Sequence, residues 1–229
     1  MTTVGLLRPE GHPEDDYRRI ETLLGGDIRV DPVVYQGQGH GADPGRLTAG
    51  AERLRLAGAD AVVWASASGS FAQGWDAARE RARSLALAAG IPASSTAIGF
   101  AHAVRAVGAT RVVVAGTRSE DLAGAARFLG AAGVEVVGEW RGAGRLPLPE
   151  LVRAADDPRA EALLVPDTAV PTVAEVPEAE AAVGKPVLTG TLVTVWEGLR
   201  LAERHGAWAD ELGALFVRRG PRDVWEPGE

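Results

Sequence analysis

The sequence contains no cysteine. That absence excludes disulfides, thiolate nucleophiles, zinc–thiolate sites and iron–sulfur clusters. Cationic surface is also scarce. Twenty-four Lys and Arg stand against 31 Asp and Glu, a net charge of −7, and no basic stripe runs along any stretch. Nucleic acids and anionic membranes need clustered Lys and Arg, so neither is an expected partner. Aromatics make up 5% and do not interleave with arginines. No apolar run approaches the ~20 residues that span a bilayer, and MTTVGLLRPEG lacks the basic flank and apolar core of a signal peptide. The expected compartment is the cytoplasm, and the expected partner is a small molecule.

What is present is enough for a sizeable core. Hydrophobic residues are 46% of 229, compatible with one large α/β domain or two small, similar lobes. Short β-branched runs alternate with longer Ala- and Leu-rich stretches, the pattern of a parallel sheet covered by helices. The predicted strands are Thr3–Leu7, Ile28–Tyr35, Ala61–Ala65, Arg111–Ala115, Val134–Glu139 and Glu161–Val165. Over Arg118–Ala132, Ser119 is a candidate cap and Glu120 and Asp121 suit the positive end of a helix dipole. Leu122, Ala126 and Leu129 form one face, and Gly133 ends the helix.

An internal repeat carries more information than any single motif. GIPASSTAIGFAHAVRAVG (Gly90–Gly108) resembles GKPVLTGTLVTVWEGLRLA (Gly184–Ala202), an offset of 94 residues. AVVWASASGS from Ala61 parallels ALLVPDTAVP from Ala162, and VGLLRPE from Val4 parallels VVVAGTR from Val112, offsets of 101 and 108. The order of elements is the same in each half. We therefore expect two pseudo-symmetric, doubly wound lobes, residues 1–108 and 109–229, with the C-terminal helix free to pack back on the first. Ligands of open parallel sheets bind beyond the carboxyl ends of the strands. If the lobes face one another, Ser66 and Asp167, which end equivalent strands, look across one cleft.

The segments WASASGSF, GIPASSTA, LLVPDTAVP and GKPVLTGTLVTVWEGLRLA resemble those of maleate isomerases, arylmalonate decarboxylases and related members of the aspartate/glutamate racemase superfamily. The resemblance covers most of the chain, to about Ala202. It implies that the family's two reactive cysteines, one per lobe, fall here on Ser66 and Asp167. Isomerases and racemases of this kind use both thiols, whereas the decarboxylases keep only the second. The Asn typical of the first loop falls near His12, and a carboxylate-holding Tyr falls near Thr117.

Each candidate has a functional and a plainer reading. Asp167 is either a general acid/base or an Asp folded back on its own backbone at a strand end. Ser66, Ser68, Gly69 and Ser70 either cradle a carboxylate or enediolate, as an oxyanion hole does, or make an ordinary small-residue turn. Ser94, Ser95 and Thr96, with Thr189 and Thr191, precede helices at matching positions, where capping and anion contact are compatible. The expected substrate-binding set is Arg8, His12, Ser68, Gly69, Ser70, Thr96, Thr117, Thr168 and Thr191. Arg8 is either a two-pronged carboxylate clamp or a solvated arginine. His12 can shuttle protons, although a loop His beside Pro13 is more often a surface residue. QGQGHG (Gln36–Gly41) lacks the ending of a phosphate loop and reads as a lid. Trp64 and Trp196 read as core or cleft wall. No G-x-S-x-G elbow exists, and His12, His40, His102 and His205 lack metal-ligand spacing. No metal and no cofactor is expected.

An ordinary Asp has a pKa ~3.9 against ~8.5 for Cys, so its carboxylate is a weaker base by roughly 6 kcal/mol. Removing the α-proton of an unactivated amino acid is then difficult, while protonating an enediolate after decarboxylation is easier. The sequence thus points to a cofactor-independent lyase or isomerase acting on a small carboxylate or keto-acid, with Asp167 as acid/base. The alternative is a non-catalytic carboxylate-binding protein that has lost its cysteine chemistry. A homo-oligomer stays open.

Overall fold

The computed structural model describes residues 1–10, 15–35, 42–142, 144, 146–204 and 206–217. Two four-stranded, all-parallel sheets are flanked by helices. The first comprises β1 (Thr2–Pro9), β2 (Ile28–Tyr35), β3 (Ala61–Trp64) and β4 (Ala93–Ser95), in the order β2-β1-β3-β4. The second comprises β5 (Arg111–Gly116), β6 (Glu135–Arg141), β7 (Ala162–Val165) and β8 (Val187–Thr189), in the order β6-β5-β7-β8. The two orders are the same, as the repeat requires. Winding reverses between β1 and β3 and again between β5 and β7, giving each sheet one topological switch point. Pro32 sits in β2, at a sheet edge, where a missing N–H costs least.

All six predicted strands are present, with ends displaced by up to two residues. Two strands were not predicted, β4 and β8, each of three residues. One correction concerns the helix α6 (Ser119–Ala131). Its N-cap is Arg118 without a side-chain bond, and Ser119 is the first helical residue. The Ser119 hydroxyl instead accepts from Arg141 at 3.3 Å. The buried face of α6 is Leu122, Ala125, Phe128 and Leu129, with Ala126 only half-buried. Gly133 closes the segment at φ 83°.

The halves share one core. Its buried residues run from Val4 and Leu6 in the first sheet to Val113 and Leu164 in the second. Helix α3 (Ala67–Ala72) packs on α6, and α5 (Thr96–Ala106) packs on α9 (Gly190–Leu201). Phe71 joins these layers, 5.7 Å from Phe100 and 5.2 Å, edge-on, from Phe128. Helix α9 also lies on β1, β3 and β4 of the first sheet. The approach to β1 is so close that a Cβ at Gly198 would stand 2.2 Å from Val4. Trp64 and Trp196 are core residues, each 1% exposed. No described helix is long and apolar enough to cross a membrane.

Between α5 and α9 lies a fully buried carboxylate, Glu197. It accepts from His102 Nδ1 at 3.0 Å and from Arg200 Nε and Nη2 at 2.8 and 3.0 Å. Burial alone would push this carboxyl up. The bonds from Arg200 and His102 outweigh burial and bring it down to about 2. A depressed carboxyl stabilises the fold above its unfolded-state value of 4.5, and that contribution disappears as pH falls toward 2. The shift corresponds to about 3 kcal/mol. Glu197→Gln should therefore unfold more easily than wild type in urea at pH 6, with the gap closing between pH 4.5 and about 2. A gap that stays constant over that interval would refute this account.

Candidate active site

Four strand ends, one pair from each switch point, meet around a single cavity of about 390 Å³. Pro9 and Glu10 end β1, Ser66–Ser68 follow β3, Ala115–Arg118 end β5, and Pro166–Ala169 follow β7. Ser66 and Asp167 thus line the same cavity, joined by Ser68, Thr117 and Thr168.

Local chemistry fixes the first of these strand ends. Ser66, 4% exposed, is the N-cap of α3, and its hydroxyl accepts from Gly69 N at 3.3 Å. Behind it, the Trp64 indole N–H donates to the Tyr35 phenol oxygen at 2.9 Å, and the Tyr35 and Ser66 hydroxyls are hydrogen-bonded. Burial pushes the Tyr35 phenol up, against the pull of its bonds to Trp64 and Ser66. Ser66 thus stands between the Gly69 N–H, which donates to it, and the Tyr35 phenol at the cavity wall.

Asp167 has no helix to cap. Its Oδ1 accepts from Ala169 N at 2.7 Å, the turn role set out above as its plainer reading. Asp167 is half-buried and lines the cavity as well, so the turn bond does not take it out of the site. The N-terminus of α9 abuts its backbone, and a Cβ at Gly190 would lie 2.5 Å from the Asp167 carbonyl oxygen.

Other expected residues serve the scaffold. Ser70 is fully buried, donates to Ser66 O at 2.6 Å and accepts from Ala97 N at 3.1 Å, tying α3 to α5. Thr96 shares a 2.7 Å hydrogen bond with Thr194 across the halves. Ser95 caps α5 by accepting from Ile98 N at 3.4 Å, whereas Thr189 holds the equivalent position on α9 without a side-chain bond. Arg8 and Thr191 are buried, and neither they, Gly69, Ser70 nor Thr96 line this cavity. His12 and the Gln36–Gly41 segment lie outside the described residues.

Five positions were not anticipated. Glu10, Arg118 and Asp121 line the cavity, with Arg118 Nε 3.4 Å from Asp121 and Arg118 Nη2 3.6 Å from Glu120. The repeat held a signal for two of them, since Glu10 and Arg118 are equivalent in VGLLRPE and VVVAGTR. Tyr35 read as a strand end and Asp16 as a helix start. Asp16, 5% exposed, instead accepts from Thr172 N at 2.8 Å and Val173 N at 3.4 Å. Its carboxyl is raised by burial, against those two bonds.

A second, more apolar cavity of about 740 Å³ adjoins the first through Gly116, Thr117 and Asp167. Leu146, Leu148, Leu151, Val165 and Val170 form its apolar wall. No group of His, Asp and Glu able to hold a metal occurs among the described residues.

Two parallel sheets with matching strand order and a shared cavity at their switch points define an aspartate/glutamate racemase-like α/β protein. Residues 35–140 match the family model of arylmalonate decarboxylase. A crystal structure of arylmalonate decarboxylase superposes with a TM-score of 0.80 at 24% identity, covering 93% of this chain and 98% of that one. Maleate isomerase Iso from Pseudomonas putida S16 gives 0.73 at 20% identity, covering 93% and 99%. A Nocardia farcinica maleate cis-trans isomerase with a covalently bound succinylcysteine intermediate gives 0.73 at 18% identity, covering 92% and 98%. No curated protein sequence matches. The fold is thus the one shared by arylmalonate decarboxylase and the maleate isomerases.

Tyr35→Phe removes the acceptor of a buried indole N–H, which costs about 1–3 kcal/mol. Denaturant unfolding should register a loss of that size, and a loss below about 0.5 kcal/mol would mean that the Trp64–Tyr35 bond does not hold the wall behind Ser66.

Proposed function

We propose that the chain is a cofactor-independent decarboxylase of a small malonate-type acid carrying an apolar substituent. The observation that carries this reading is the position of Asp167, at the junction of a polar cavity and an apolar one. The polar side offers hydroxyls from Ser66, Ser68, Thr117 and Thr168, with the Arg118 guanidinium nearby. These groups suit a carboxylate that remains on the substrate and becomes an enediolate. The apolar side, around Leu148, Leu151 and Val170, suits the substituent.

In the reaction, the bond from the α-carbon to one carboxylate breaks, releasing carbon dioxide and leaving its electron pair on the enediolate. Ser66 donates a hydrogen bond to the enediolate oxygen, a preorganised contact of the kind that strengthens as charge develops. Asp167 delivers a proton to the α-carbon and recovers one from water. Cis-trans isomerisation fits less well. The Nocardia relative was captured as a succinylcysteine adduct, and a chain without cysteine has no group to form it.

Among the described residues, the cavity also carries Glu10 and Asp121 beside Asp167, against the guanidinium of Arg118. That excess of carboxylate works against any dianionic ligand, and the second reading, a carboxylate-binding protein without turnover, is favoured by the absence of both reactive thiols. Phenylmalonate and maleate are to be followed by NMR in heavy water. Decarboxylation reads out as loss of phenylmalonate and a deuteron at the α-carbon of phenylacetate. Asp167→Asn should abolish turnover and leave binding within a few-fold, and Ser66→Ala should slow it by ~10². Wild-type rates in Asp167→Asn would refute the acid/base role. Binding of both acids with neither carbon dioxide loss nor exchange would establish the second reading.

A further inference from the structure

Resting on the proposed role of Asp167, we infer that Asp16 is a positioning residue that holds the Asp167 loop in place from the opposite half of the molecule. The two halves handle the end of their third strand differently. After β3 the chain enters α3 at once, and the helix start fixes Ser66. After β7 there is no such helix. The chain runs irregularly from Pro166 to Thr172 and reaches only a short 3₁₀ turn at Val173–Glu175. Thr172, the residue before that turn, makes no side-chain cap. Its N–H and that of Val173 would be buried without partners.

Asp16 supplies the missing cap. It sits in the first turn of α1 (Asp15–Leu23), 156 residues away in sequence, and its Oδ2 accepts both N–H groups. The segment held this way lines both cavities, with Thr168 and Ala169 on the polar side and Val170, Pro171 and Thr172 on the apolar side. Its other end is tied down by the Asp167–Ala169 bond and the close packing of Gly190. A buried acceptor on the first half thus sets where the proton-bearing group of the second half stands. Proton transfer is sensitive to such placement, a shift of about 1 Å costing ~10²-fold.

The test compares wild type with Asp16→Ala and Asp16→Asn, all as the full chain. Asn keeps an oxygen acceptor of the same reach, and Ala does not. Backbone amide hydrogen exchange of Thr172 and Val173, read by NMR without any ligand, should be at least ~10-fold faster in the Ala variant and near wild type in Asn. Phenylmalonate turnover should show kcat lowered ~10- to 100-fold in Ala with KM changed only a few-fold, and kcat restored to within about threefold in Asn. Melting temperatures of the variants separate local release from global unfolding.

Thr172 and Val173 amides that remain protected in a folded Ala variant overturn the tether. Faster exchange with unchanged kcat overturns the positioning role while leaving the tether intact. Absence of turnover in every protein, wild type included, overturns the proposed reaction instead, and the amide readout then still reports on the tether by itself.

Discussion

The cleft exists because one buried carboxylate registers the two halves. Glu197 has no exposed surface, and an isolated charge so placed would cost several kcal/mol. It is tolerated because His102 on α5 and Arg200 on its own helix supply three charge-assisted hydrogen bonds. Of these, the His102 bond crosses between helices and restricts the α5–α9 offset, while Arg200 holds the carboxylate within α9. Gly198 against Val4 restricts α9 relative to the first sheet as well. Once α9 is fixed against β1 and α5, its N-terminus is fixed too, and Gly190 sets how near the Asp167 loop can come. A salt-bridged cluster remote from the chemistry thereby determines whether four strand ends converge on one cavity.

Much of this is legible in the sequence. β-Branched runs exposed six strands, and the repeat exposed the order of elements, because both reflect local constraints repeated in each half. The repeat also brought Ser66 and Asp167 to one cleft, since equivalent strand ends in facing open sheets must converge. Strands β4 and β8 escaped because each is three residues long. ASS carries no β-branched residue, and VLT hides inside a Gly-Pro turn segment. Ser119 was misjudged by one position because a helix can begin without a side-chain cap when its first N–H groups face solvent or a neighbour.

The unread parts are those whose partners lie far away in sequence. Nothing in EDDYRRI suggests that Asp16 serves Thr172 and Val173 rather than its own helix. Tyr35 reads as a strand residue until Trp64, 29 positions on, is found donating to it. The apolar cavity arises where Leu146–Leu151 and Val165–Thr172 meet, two segments without shared periodicity. Local pattern can locate the end of a strand, but it cannot say what the following loop is pinned against.

The departures from symmetry coincide with the chemistry. On the first half, Ser66 is locked by a helix start, a backbone N–H and a phenol, an arrangement suited to a fixed hydrogen-bond donor. On the second half, Asp167 ends its strand in a loop, half-exposed, with one oxygen in a local turn and the other available to the cavity. A group that must give up a proton and recover it from water needs access to solvent, which a fixed donor does not. Equivalent strand ends thus have different supports, a helix start for the Ser66 hydroxyl and a loop pinned from outside for the Asp167 carboxyl. Without a thiol on either side, the two halves cannot act as interchangeable bases on opposite faces of a substrate. Under the proposed reaction, that asymmetry suits proton delivery from one side rather than racemisation.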